Sequence, residues 1–563
     1  SNVRGVASDP AADAEAVMAQ EQAGFVNPAA VTPGTGPVKD LFNAVRRGLS
    51  DSWQDVKNLQ RKYGIAPETG KAEDAYGAHK LYPGRLASRI GDLQEHARTL
   101  DQDIIGTAKK SGVADAQLRQ DVNDYLYASH APERNAQNLK TSNGKIVDGS
   151  GISDADAATL KQSIEAKPHA SEVKRIASDI QTYHDDSLKI RLDSGLIDKE
   201  TYDRLKATYK NHVPLQRVMD DQGDVVQSLG GGASLDVRAS GVKRAHGSGR
   251  QVEDIINNVL ADRADAINRG ERNLVDNATY EFFKASGGAD GAIVEGEKQL
   301  IGKKVATNSK TGGTFVTDTP LYETTDQMAQ RLGVSADQVL TFRRNGKATH
   351  LVFADPRVAS AFKDTNTFTA SMLPDGARQV YNGLHTLTRL YASLATRWNP
   401  DFLLPNKFRD LPEALARTIA EPGQGLAAGG RILKEEAKFS GARGVIDSLM
   451  GRDTELARLY KQMQMDGGTT GGLGLSTRQE LQGRLEEIYK LHRSEPRKAL
   501  EAGLRYLDNL NAIFEDSTRL SVYKQALENG ATRERAAILA KNCSIDFNQR
   551  GTAPWIVMGI SVR

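Results

Sequence analysis

The chain has 563 residues, of which 39 % are hydrophobic and 6 % aromatic, and its charged residues, 26 % of the total, nearly balance to a net charge of +2. That length predicts several domains, and the balance argues against a dominant affinity for nucleic acid, which shows as a net basic face. A single cysteine, Cys543, excludes an internal disulfide and any multi-thiolate zinc site built from this chain alone.

Residues 1–40 are rich in Ala, Gly and Pro (NPAAVTPGTGP) and read as a flexible arm. Leu41, Phe42, Val45, Leu49, Trp53, Val56 and Leu59 then recur at helical spacing, and Gly64 ends that helix. Further helix is predicted from Glu73 to about Lys110. The stretch DYLYASHAPERNAQN (Asp124–Asn138) reads as a helix end, because Ala131-Pro132 disfavours helix before the proline and restarts it after. Val173, Ile176, Ile180 and Tyr183 mark another helix, after which Gly195 is placed as a C-cap and Asp198 as the N-cap of a short helix. Gly230–Gly249 reads as a mobile loop, and a helix resumes from Val252 to about Lys284.

Between Gly287 and Phe353 the pattern changes to β-branched runs with glycine turns, and Asn345-Gly346 between alternating segments signals a type I′ hairpin. Helices return from Pro356. Leu384, Leu387, Leu390, Tyr391, Leu394 and Trp398 form an apolar stripe, interrupted by Arg389 and Arg397 and too polar to span a bilayer. It reads as a core-facing helix, with a partner or membrane surface as the alternatives. Asp466–Gly474 reads as a flexible loop, and Leu500, Leu504, Leu507, Leu510 and Phe514 step like a bundle seam. The expected fold is mostly α: an elongated, multi-domain helical protein with a small α+β insert. Its expected divisions are an arm (1–40), a helical module (41–229), a loop (230–250), a helix (251–286), the α+β insert (287–355) and a C-terminal helical domain (356–563). The chain opens at Ser1 rather than Met and closes at Arg563, soon after Trp555, so a piece of a longer polypeptide is expected. The given residues open on no signal-peptide pattern and hold no apolar run of the roughly 18 residues that a spanning helix needs.

Catalytic signatures are weak. The histidines show no HExxH or HxH spacing, and His184 with Asp185 and Asp186, the nearest approach to a cluster, would point apart on a helix. No GxSxG elbow occurs, and Cys543 reads as a small buried apolar residue. Paired carboxylates are those of any solvated helix, and no lytic-transglycosylase glutamate stands out. The glycines of Gly230–Gly232 and Gly467–Gly474 are not followed by GK[ST]. Arg343, Arg344 and Lys347 flank the hairpin turn and read as solvated, with a phosphate contact as the alternative. No catalytic residue, cofactor or metal ligand is assigned.

Five separated strings carry a resemblance. LYPGR supplies Tyr82, Gly84 and Arg85, and HAPERN, followed by GSGISD from Gly149, supplies His130, Pro132, Glu133, Arg134 and Asn135. HVPLQR supplies Pro214, Leu215 and Arg217, and NPDFLLPNKFRD supplies Asn399, Pro400, Asn406, Arg409 and Asp410. The last runs from FEDSTRL, with Glu515 and Arg519, to DFNQRG, with Asp546, Phe547, Asn548, Arg550 and Gly551. In this order they resemble the large polyvalent bacteriophage proteins, giant multi-module chains often packaged in the virion and ejected with the DNA, some marked by a PLxRFG motif. Here that motif reads PLQRVM, so its last two positions depart.

The resemblance implies an internal virion (ejection) protein that is not itself an enzyme and carries no cofactor. Such a protein is stored inside the capsid and passed to the host envelope or cytoplasm, where it helps form the conduit for DNA. It implies a polyvalent-protein-associated domain at the C-terminal end. Other ejection, portal or tail proteins and further copies of the chain are the partners it implies, with contacts to phage DNA and to a membrane surface left open. The rival reading is a non-catalytic accessory module of a giant phage polyprotein, a virion RNA polymerase or an antirestriction protein, whose enzymatic domains lie elsewhere. Read as residues, Asn406, Arg409 and Asp410 belong to a proline-bent connector, and Glu515, Arg519 and Tyr523 share one helix face. Asp546, Asn548 and Arg550 form a polar turn. All three groups are expected to be buried polar networks that fix helix junctions, with a functional site as the alternative.

Overall fold

The computed structural model describes residues 53–141, 147–215, 254–307, 314–363, 429–434, 440–469 and 516–543. Of these, 69 % are helical, which makes the protein mostly α with a small β part. The predicted arm, the 230–250 loop, the stripe from Leu384, the seam from Leu500 and the 544–551 turn lie outside the described residues.

Capping chemistry sets most helix ends. Helix α1 (Gln54–Lys62) buries Val56 and Leu59 beside Trp53, and Gly64 follows it at φ +71°. Asp74 opens α2 (Ala75–Ser111) by accepting the Gly77 N–H at 2.8 Å, and Gly112 closes it in the left-handed conformation. Helix α3 (Asp115–Thr141) runs through Pro132 without a break, which corrects the expected helix end. The proline ring faces solvent, while Leu126, His130 and Ala131 before it and Asn135 and Asn138 after it are buried. Packing and polar contacts on both sides offset the roughly 3 kcal/mol that an interior proline costs.

Ser153 caps α4 (Asp154–Glu165). Helix α5 (Ala170–Asp193) stops before Gly195, at φ +73°, and Asp198 caps α6 (Lys199–Thr208) through the Thr201 N–H at 2.7 Å. Asp198 is the N-cap read from the sequence, whereas the C-cap of α5 is Ser194, with Gly195 taking the left-handed position one residue beyond it. Helix α7 (Ile255–Ala285) packs against α2 and α5. Leu93, Ile104, Leu118, Val122, Ile176, Ile180, Val259 and Ile267 form the core among α2, α3, α5 and α7.

The strands follow: β1 (Ile293–Gly296), β2 (Leu300–Thr307), β3 (Thr314–Tyr322), then α8 (Thr325–Leu332), β4 (Val339–Arg344) and β5 (Lys347–Phe353). One antiparallel sheet has the order β1-β5-β4, and β2 and β3 pair as a separate ribbon. Arg344 pairs with Lys347 across Asn345 and Gly346, whose φ values of 46° and 77° are those of the predicted hairpin turn. Helix α9 (Pro356–Phe362) sits on β5 and α1. Trp53, Phe282, Phe353 and Phe362 share one core, so the sheet is packed on helices from both sides of it in sequence.

Helices α10 (Ser440–Leu449) and α11 (Glu455–Met465) pack together, with α12 (516–528) and α13 (Arg533–Asn542) completing a third core around Val445, Tyr460, Leu520, Tyr523 and Ile538. Leu81 of α2 belongs to this core, whereas Tyr76 and Leu93 of the same helix belong to the other two. Helix α2 is thus a shared spine. Cys543 is buried beside Ile432 and Val522, as expected of a small apolar residue. Among the described residues, no helix is long and apolar enough to cross a membrane.

Candidate functional site

The HAPERN string sits on α3 where other segments meet it, and His130, Glu133 and Asn135 each face one of them. Asn135 accepts the Ser150 N–H at 2.8 Å and donates to the Ile152 carbonyl at 3.0 Å and to Asp154 Oδ1 at 2.8 Å. The Tyr127 hydroxyl donates to the Ser150 carbonyl. The HAPERN and GSGISD strings are therefore two halves of one contact. Gly149 belongs to it because a Cβ there would overlap the Asn138 side chain.

Glu133 points to the segment after α6. Its carboxylate accepts the backbone N–H groups of Lys210 and Asn211 at 3.1–3.2 Å and the Asn211 side-chain amide at 2.9 Å. Burial works against this carboxylate, yet His130 and the Asn211 donors outweigh it and hold its pKa below the ordinary 4.5. Val213 follows, buried in the helical core, with Pro214 and Leu215 beside it half-buried. Arg217 lies outside the described residues.

Between these contacts lies a feature that sequence reading missed: His130 of α3, His184 of α5 and His212 form one group of imidazoles. His184 Nε2 and His212 Nδ1 are hydrogen-bonded at 2.8 Å with their rings stacked at 5.0 Å. The His130 ring meets His212 edge-on at 5.1 Å and is only 1 % exposed. Among the described residues neither His130 nitrogen has a hydrogen-bond partner; Nδ1 is 3.9 Å from Glu133, beyond hydrogen-bond reach. Behind His184, the Arg191 guanidinium forks onto Asp262 at 2.9 and 3.1 Å, and Asp262 stands 3.5 Å from His184 Nδ1. Burial pushes His130 and His184 below the ordinary imidazole value of 6.5 and His212 well below it, helped there by the neighbouring His184. The expected divergence of the His-Asp-Asp triplet is also observed: His184 turns inward while Asp185 reaches out to Lys206 at 2.5 Å.

The LYPGR string is equally structural. Arg85 and Arg89 pair with buried Glu271 of α7 at 2.8 and 2.6 Å, and the Tyr82 hydroxyl accepts from Arg272. A Cβ on Gly84 would lie 2.6 Å from the Gly467 carbonyl oxygen and 2.7 Å from that of Thr469. Glycine is required here because two backbones cross. Of the C-terminal string, Arg519 is fully buried beside Asp516, which also accepts from Tyr460 at 2.6 Å, and Tyr523 donates to Asp466 at 2.5 Å. Asn399, Pro400, Asn406, Arg409, Asp410, Glu515, Asp546, Phe547, Asn548, Arg550 and Gly551 lie outside the described residues. Arg343 and Arg344 are less solvated than expected: Arg343 folds back to the Gly346 carbonyl at 2.7 Å, and Arg344 pairs with Glu281 over the Tyr280 ring.

Among the described residues, no group of three or more His, Cys, Asp or Glu side chains is arranged to hold a metal ion. What the site can do is join segments: it places hydrogen-bonding and titratable groups where α3, α5 and the 209–215 segment meet. No protein-family model, curated protein or solved structure matches the chain.

Proposed function

We propose that the chain is a non-catalytic, architectural segment of a bacteriophage internal virion (ejection) protein. It is carried in the capsid and delivered with the genome into the host envelope, where it helps build the conduit for DNA. In this reading its partners are further copies of itself and other ejection, portal or tail proteins. The observation that carries it is the use of the resemblance strings. Asn135 ties HAPERN to the GSGISD loop, Glu133 ties it to the 209–215 segment, and Gly84 and Arg85 of LYPGR tie α2 to Gly467 and Glu271. These residues are joints between helices, which favours an architectural role.

The test is quantitative mass spectrometry of purified virions of the encoding phage, and of host envelope fractions soon after infection. Peptides of the chain at fixed copy number in virions, then in the envelope, are expected. Abundance in infected cytoplasm with none in virions would overturn the proposal.

A further inference from the structure

We propose that His130, His184 and His212 form an acid-operated latch that docks the 209–215 segment onto α3 and α5 at neutral pH and releases it on acidification. The docking contacts are few and adjacent. Glu133 holds the backbone of Lys210 and Asn211, Gln181 donates to the Lys210 carbonyl at 2.9 Å, and Val213 fills the core beyond. His212 stands among them, bonded to His184 and packed on His130. Its hydrogen bond to His184 needs one ring to donate and the other to accept. Protonating both rings removes the acceptor and sets two like charges at the same place.

Every neighbouring element contributes to the balance. Helix α3 supplies Glu133, which favours a charged His130, and Arg134, which opposes it. Helix α5 supplies Asp185, which favours a charged His184, and Arg191, which opposes it. Helix α7 supplies Asp262, which favours a charged His184 most although it and Asp265 are paired with Arg191. Tyr209 of the docked segment packs against His130 and His212. Burial above all, with the two arginines and the mutual repulsion of the imidazoles, leaves the docked state short of protons relative to the released one. Docked His212 is held well below the ordinary 6.5 and regains solvent on release, while His130 and His184 lose the ring that helps to bury them. Release therefore takes up protons and is favoured as pH falls through 6.5, by up to about tenfold per pH unit for each proton gained. Glu133 stays ionised until below 4.5, so its loss belongs to a separate, more acidic window.

The test is hydrogen exchange on the full chain between pH 7.5 and 5.0, read as protection factors of the Lys210 and Asn211 amides. Amides of α11, whose core contains no histidine, serve as the reference. Protection at Lys210 and Asn211 is expected to fall at least about tenfold while α11 holds. His212→Gln should make that fall shallower by about tenfold per pH unit at most. His130→Gln serves the same purpose if the first variant does not dock. Protection that stays flat to pH 5.0 overturns the latch, as does a fall that begins only below 4.5 and belongs to Glu133. So does a fall shared with α11, or one of unchanged slope in both variants.

Discussion

At the His130 junction the chain is held by imidazoles that stay neutral in a crowded site, and one of them has no hydrogen-bond partner among the described residues. At the junction on α7 the central holding group is an amide. Buried Asn273 donates to the carbonyls of Ser194 and Arg343, both at 2.7 Å, and accepts the Arg343 N–H at 2.8 Å. Nearby, Glu271 answers Arg85 and Arg89. The amide of Asn273 does not titrate. The α7 junction is therefore expected to be strong and indifferent to mild acid, and the His130 junction weaker and responsive. Burial alone does not separate them; the chemistry of the buried groups, titratable imidazole against amide, does.

The largest expected effect on this contrast is Glu271→Ala. It leaves Arg85 and Arg89 enclosed without their carboxylate, and denaturant unfolding at pH 7 should show a loss of about 3 kcal/mol. A loss below about 1 kcal/mol would remove Glu271 from the account. Asn273→Ala strips partners from two carbonyls and one N–H and should cost about 2–3 kcal/mol, equal at pH 7.5 and 5.5. A clear pH dependence of that cost would erase the distinction between the junctions.

Gly346→Val meets both a φ of 77° and the Asp198 backbone nitrogen, 2.8 Å from the new Cβ. It should cost about 2 kcal/mol and lower exchange protection in the 195–198 turn as well as in the hairpin. Damage confined to β4 and β5 would show that the hairpin is not joined to α6 as described. The smallest expected effect is Glu133→Gln, about 1 kcal/mol at neutral pH through weakened bonds to Lys210 and Asn211. Because the folded pKa of Glu133 is lowered, its stabilisation is present above 4.5 and is lost as pH falls below that value. The difference between Glu133→Gln and wild type should accordingly shrink in acid, as unfolding midpoints at pH 7 and pH 4 would reveal.

Much of the local structure was legible because its causes are local. Gly195 and Asp198 mark helix ends through φ and one side-chain bond, and Asn345-Gly346 needs only two positive φ values. The stripe of Trp53, Val56 and Leu59 was visible as periodicity and is buried. Pro132 was misread because its cost is local while the contacts that offset it come from residues 150–154 and 210–212. The imidazole group had no sequence signal at all. His184 and His212 are 28 positions apart and sit on different elements, so no spacing rule joins them to His130. Tyr82, Gly84, Arg85, Glu133 and Asn135 could be marked by resemblance, but not their partners, which only the packing of α2, α3 and α7 reveals.

The shared spine also sets an order of events during synthesis. The buried Lys541 ammonium donates to the Lys80 carbonyl at 2.8 Å across 461 positions of chain. At roughly 5–20 residues per second on the ribosome, about 20–90 s separate the emergence of the two. Through most of that interval Leu81 and Gly84 stand without the C-terminal segments that will cover them. The patch of α2 around Leu81 and Gly84 is thus left open until the C-terminal region of the chain arrives. A chaperone, or an early-arriving second chain, would find its opportunity there, which makes this patch the place where assembly could go wrong by exchange between copies.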